Sequence, residues 1–143
     1  MTDVLPDPDS EFGSRVRRRL ADEQVAWLTS VDAAGAPQPN PVWFVLLDDG
    51  DVLVYCQPRA RRLRHIRERP RVSLHFDSDG RGGDVVVITG TAEVDPAVPL
   101  AHEFPPYMAK YEAAATRVSG DVVTFANDYS VALRIRLDRV RGF

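Results

Sequence analysis

Cysteine is almost missing from this chain. Cys56 is the only one among 143 residues, which excludes an internal disulfide and any multi-cysteine metal site. Lysine is as rare: Lys110 is the single lysine among 18 basic residues, a bias that fits GC-rich coding. No apolar run approaches the roughly 20 residues that span a bilayer, so no membrane partner is expected. Neither GxGxxG nor GxxxxGK[ST] occurs, which removes the Rossmann and P-loop routes to phosphate. GxSxG is also missing, and His65, His75 and His102 lack the HxxxH spacing of a metal site. No side chain stands out as a catalytic acid or base, and none as a metal ligand. Residues 1–10 are acidic and carry prolines, the opposite of a secretion signal. A reducing cytoplasm is the expected setting.

What the chain has in excess is arginine, in one place. The window from Arg59 to Arg71 holds seven arginines and His65 with Glu68 as its only acid, a charge of +6 on a chain of net charge −3. It follows the strand-like run Val52–Cys56 and the breaker Pro58, and reads as a short helix that stops before Pro70. Arg61 and Arg62 fall in its first turn, where the macrodipole is already positive and acids are preferred. Arginine there becomes favourable when an anion binds, because free N–H groups and guanidinium forks converge on it. A phosphate is the ligand this favours, and a solvated basic face is the alternative. On the phosphate reading both arginines are exposed and contribute little to folding. Nucleic acid is not expected, since no aromatics interleave the arginines and the net charge is negative.

The rest of the chain reads as one soluble domain, 44% hydrophobic and 27% charged. Residues 1–9 look like a loose tail, leaving 10–143 as the folded unit. Asp9 or Ser10 can cap a helix to about Asp22, with Phe12, Val16 and Leu20 on one face and Arg15, Arg17, Arg18 and Arg19 on a solvated one. Strands are predicted over Val25–Val31, Gln38–Leu47, Val52–Cys56, Val72–Phe76, Val85–Val94 and Ser130–Leu137. Prolines at 37, 39 and 41 make the start of the second an edge or an opening in the sheet. Gly90 marks a bulge. Leu100 to about Ser119 reads as helix in two pieces separated by Pro105-Pro106, and Asp121 can cap another through Ala126. Six strands joined mostly by hairpins predict a mainly β fold, a small antiparallel barrel with flanking helices.

The stretch Ala34–Phe76, AGAPQPNPVWFVLLDDGDVLVYCQPRARRLRHIRERPRVSLHF, resembles the flavin and deazaflavin split-barrel proteins related to pyridoxamine 5'-phosphate oxidase. ITGTAEV at Ile88–Val94, YMAKY at Tyr107–Tyr111 and the closing VALRIRLDRVRGF extend the likeness over nearly the whole chain. It is most similar to the actinobacterial branch that uses coenzyme F420. The resemblance implies a six-stranded split barrel and a phosphate held at the start of the basic helix. There the family's Ser-Arg-Lys step reads Ala60-Arg61-Arg62. It further implies that the strand Asn40, Pro41, Val42, Trp43 and Phe44 borders the cofactor ring, and that Tyr55, Cys56 and Gln57 carry its tail. Trp43 reads equally well as a core aromatic. Pyridoxamine phosphate oxidases have arginine where this chain has Asn40, and their closing recognition segments are not found, which argues against vitamin B6 chemistry.

The activity implied is an oxidoreductase in which reduced F420 passes a hydride to a small organic acceptor. The same barrel holding FMN, or a carrier without turnover, are the alternatives. A homodimer is implied by the family alone.

Overall fold

A computed structural model describes residues 3–143. Ser10 ends the N-terminal segment and caps α1 (Glu11–Asp22), its side chain accepting from the Gly13 amide. Seven strands follow in chain order: β1 (Ala26–Val31), β2 (Pro37–Val42), β3 (Val45–Leu46), β4 (Val52–Cys56), β5 (Arg71–His75), β6 (Val86–Val94) and β7 (Val131–Gly142). Between β4 and β5 lies α2 (Arg61–Glu68); between β6 and β7 lie a 3-10 turn (Ala101–Glu103), α3 (Pro105–Ser119) and α4 (Val122–Asp128). The strands form one antiparallel sheet in the order β2-β1-β5-β6-β7-β4-β3, curled into a split barrel. No described helix is long and apolar enough to cross a membrane.

The count of seven corrects the expected six, and the reason is local. The predicted strand over 38–47 breaks at Trp43-Phe44, so β2 pairs with β1 while β3 pairs with β4. Those two pairs are at opposite ends of the sheet, and two residues carry the chain across the barrel's opening. The Phe44 backbone finds partners outside the ladder: its amide donates to the Tyr111 hydroxyl at 2.9 Å, and its carbonyl accepts from Lys110 Nζ at 2.9 Å. Other expectations hold closely. β2 is an edge, and the ladder between β6 and β7 shifts register at Thr89/Gly90. A Cβ at Gly90 would lie 2.6 Å from the Arg136 carbonyl, so only glycine fits this crossing. Pro105 and Pro106, expected to separate two helical pieces, open α3 instead, where missing amide donors cost nothing.

β4 is buried along its whole length because it serves two cores. Val52, Val54 and Cys56 face the barrel interior with Leu28, Phe44, Ile88 and Ile135. Leu53 and Tyr55 face outward, under Tyr107, Tyr111, Ala115 and Phe125 of α3 and α4. The two-residue period of a strand assigns each side chain to one core or the other.

The expected loose tail is tied down from Asp3 onward, residues 1 and 2 lying outside the described residues. Val4 and Leu5 pack on the barrel core, and Arg17 donates to the Pro6 carbonyl at 2.9 Å. Nor do the α1 arginines form a solvated face. Arg15 pairs with Asp84 at 2.6 Å, and Arg19, only 11% exposed, reaches Glu23, Asp84 and the Asp77 carbonyl. Arg18 alone of the four is exposed.

Candidate functional site

After β4 the chain turns at Gln57–Ala60, with the Ala60 amide donating to the Gln57 carbonyl at 3.0 Å, and α2 begins. Ala60 is its N-cap and offers no side-chain acceptor, and the first turn holds no acid. The Leu63 amide donates to the Ala60 carbonyl at 3.1 Å, which leaves the Arg61 and Arg62 amides without a partner among the described residues, at the positive end of the dipole. Arg61 is exposed and Arg62 half-buried, with Nη1 3.6 Å from Cys56 Sγ. Among the described residues, Arg59, Arg61, Arg62, Arg64 and Arg67 make no ion pair, whereas Arg69 pairs with Glu68 and donates to the Val31 carbonyl. Of these five, Arg62 borders the space in front of the helix, and Arg59, Arg61, Arg64 and Arg67 are exposed.

That space is a cavity of about 360 Å³, at the small end of the usual range for ligand pockets. Six sequence-predicted residues line it together: Pro41, Val42, Trp43, Tyr55, Gln57 and Arg62. Four do not. Phe44 is 1% exposed and packs against Phe76 in the barrel core, under the Lys110 ammonium 3.8 Å from its ring centroid. Cys56 is fully buried in the same core, because its neighbours Tyr55 and Gln57 take the outward positions of the strand. Burial pushes the Cys56 thiol up, with the Arg62 charge opposing. Asn40 is exposed on the β2 edge, and Arg61 stands at the mouth without lining the cavity. Trp43 lines the cavity and stacks on Tyr111 (centroids 4.9 Å apart) and Phe125 (5.4 Å), so its core reading holds.

Ala60, Tyr107, Val118, Phe125 and Tyr129 complete the lining, and the sequence reading had not placed them there. All but Ala60 come from the C-terminal helices. Their signal was present as Tyr107, Tyr111, Ala114 and Ala115 at i, i+4, i+7 and i+8, one buried face of α3. Tyr55 donates to the Pro99 carbonyl at 2.6 Å, and burial pushes its phenol up to about 12. Burial likewise raises the Tyr107 phenol, helped by the neighbouring phenols. Both are neutral donors at physiological pH. The cavity thus offers aromatic faces at one end, and at the other a cationic, uncapped helix start that suits an anion. A planar ring joined to a phosphate matches this donor set, so the residues present fit a flavin or deazaflavin.

A larger groove, about 730 Å³, runs between α2 and the β6–β7 face. Its central cation, Arg134, is engaged by Asp49 at 2.7 Å, Asp51 at 3.1 Å and Asp95 at 3.0 Å. Arg67, without an ion pair among the described residues, also lines this groove, but no uncapped helix start opens on it.

The comparisons bear on the fold. The family model described as pyridoxamine 5'-phosphate oxidase matches residues 12–142. No curated protein matches the chain in sequence. Among solved structures, an F420 reductase superposes with a TM-score of 0.61 at 17% identity, over 87% of this chain and 94% of its own. A FAD-binding protein from Mesorhizobium loti gives 0.60 at 19% identity, over 89% and 88%. The haem storage protein HutZ of Vibrio cholerae gives 0.62 at 14% identity, over 90% and 92%. At such identities the likeness is one of fold.

Proposed function

The chain belongs to the pyridoxamine 5'-phosphate oxidase family, and on that premise we propose that it is an oxidoreductase in which reduced F420 passes a hydride to a small organic acceptor. The observation that carries this reading is the meeting of an arginine-bearing, uncapped helix start with an aromatic wall around one cavity. When bound, the cofactor supplies the hydride chemistry, and the protein supplies position and electrostatics.

Arg61 and Arg62 hold the cofactor phosphate, using guanidinium forks where the family's pattern has lysine as its second basic residue. The backbone of Asn40–Phe44 borders the ring, and Trp43 covers part of its face. Tyr55 and Gln57 flank the tail, while α3 and α4 exclude water from the slot. No catalytic acid or base is assigned. F420 is preferred to FMN because Arg59 and Arg64 are exposed beside α2 and free of ion pairs among the described residues. Surplus cations of this kind suit a long anionic tail.

The active species is proposed to be a homodimer, in which a second copy covers the free strand edges and the groove beside them. Light scattering at micromolar concentration should then give about twice 15.9 kDa, and a monomer mass overturns it. The cofactor is tested by equilibrium fluorescence titration with F420 and FMN. Tighter binding of FMN, or protein that retains FMN through purification, reverses the choice. Tight F420 binding without turnover of any acceptor would make the protein a carrier.

A further inference from the structure

Tyr107 is 1% exposed, yet its hydroxyl makes no hydrogen bond with any described residue. Two neighbouring phenols are engaged: Tyr55 donates to the Pro99 carbonyl at 2.6 Å, and the Tyr111 oxygen lies 2.7 Å from the Gln24 carbonyl while accepting the Phe44 amide. The hydroxyl is not itself enclosed: among the described residues the one enclosed polar side-chain atom without a partner is His102 Nδ1, so the Tyr107 oxygen opens on the cavity that its residue lines. The Tyr107 ring is fixed on three sides, edge-on to Tyr55 with centroids 4.8 Å apart, tilted on Tyr111 at 4.8 Å and near Phe125 at 6.3 Å. It cannot swing away to solvent, and it lines the cavity. A rigid donor without a partner, in the wall of a slot, points to a ligand.

We propose that Tyr107 is a specificity-determining donor of the slot, giving its hydroxyl hydrogen to a carbonyl oxygen or ring nitrogen on the edge of the bound ring system. The proposal rests on the flavin or deazaflavin reading above. Placement selects the ring over the phosphate. Tyr107 is embedded in the aromatic cluster of Tyr55, Tyr111 and Phe125, whereas the cationic groups sit at the first turn of α2. Burial keeps the phenol protonated at neutral pH, so it is a donor, to a neutral or an anionic acceptor on the ring edge. Such a site discriminates against ring analogues that lack the acceptor, because the phenol is then left unpaired.

The test uses Tyr107→Phe and Arg62→Ala in the full-length protein, with each cofactor paired with its phosphate-free core: F420 with the bare deazaflavin ribitol, and FMN with riboflavin. Tyr107→Phe should weaken binding about three- to tenfold, the range of one neutral hydrogen bond, by the same factor with and without phosphate. It should also shift the bound ring's absorption band and leave the Tm of the ligand-free protein equal or higher. Arg62→Ala should weaken only the phosphate-bearing member of each pair. Wild-type affinity in Tyr107→Phe overturns the inference while the proposed function stands, as does a loss confined to phosphate-bearing ligands. A lowered ligand-free Tm also overturns it, since the hydroxyl would then be structural. Wild-type protein that binds none of the four overturns both.

Discussion

Helices α1 and α2 are both rich in arginine, and they use it in opposite ways. α1 starts from Ser10, whose side chain accepts the Gly13 amide, with Glu11 in the first turn. Three of its four arginines are tied into the protein: Arg15 to Asp84 and the Phe143 carbonyl, Arg17 to Asp3 and the Pro6 carbonyl, Arg19 to Glu23, Asp84 and the Asp77 carbonyl. α2 starts from Ala60 with no cap and no acid. Composition cannot separate the two helices. Partners can: a carboxylate or carbonyl within reach makes an arginine structural, and an empty positive helix start leaves it free for a ligand. The first kind stabilises the apo protein, and the second leaves a cost that only a bound anion removes.

The sharpest way to break this contrast is to remove one arginine of each kind. Arg19→Ala strips a side chain that bonds two carboxylates and backbone carbonyls and lies 4.9 Å from the centre of the Phe76 ring. It should destabilise the protein by about 2–3 kcal/mol, read as a lower midpoint in urea. Arg61→Ala or Arg62→Ala should leave that midpoint unchanged or raise it by a few tenths of a kcal/mol. The same changes should weaken cofactor binding by about 1.5–3 kcal/mol, tenfold or more in Kd. Variants that bind normally, or that lose fold and ligand together, would place α2 with α1.

The caps sharpen it further. Ser10→Ala should cost about 1 kcal/mol by freeing the Gly13 amide. Ala60→Asp makes α2 resemble α1, so it should gain up to about 1 kcal/mol in thermal stability while its carboxylate repels the phosphate and lowers affinity. The smallest effect concerns pH. Hydrogen bonding from Arg15, opposed in part by burial and aided by the Arg19 charge, lowers the Asp84 carboxyl below its ordinary value of 3.8. A depressed folded value means that this contribution is present above pH 3.8 and disappears as pH falls through the folded value. Asp84→Asn should therefore flatten the acid limb of the stability curve below about pH 4 and leave ligand affinity unchanged.

The strand half of the slot was legible because its residues are close in sequence. Pro41–Trp43, Tyr55, Gln57 and Arg62 span one strand, one hairpin and one helix start, and motif and spacing reach that far. The side chains of Cys56 and Phe44 turn away from the slot for local reasons. If Tyr55 and Gln57 face the slot, Cys56 must face the barrel, and Phe44 turns into the barrel core where the strand breaks between β2 and β3. The helical wall was harder, since Tyr107, Phe125 and Tyr129 meet β4 from more than fifty residues away. Their i, i+4 spacing announces a buried face but not what it is buried against. The α1 arginines were misread for the same reason: Asp77 and Asp84 are about sixty-five residues distant in the chain, and charge runs carry no mark of remote partners.

The three prolines of β2 leave one more trace. The ladder to β1 runs unbroken from Pro37 to Val42, so its donors on β2 are the alternate residues Gln38, Asn40 and Val42. Pro37, Pro39 and Pro41 must then turn away from β1, toward the open side. That margin of the sheet is a row of carbonyl oxygens with no N–H between them. An incoming strand needs both and finds only half a ladder, which protects the protein against edge-to-edge aggregation. A molecule that brings its own N–H or O–H groups needs only the acceptors, and for it the margin is open.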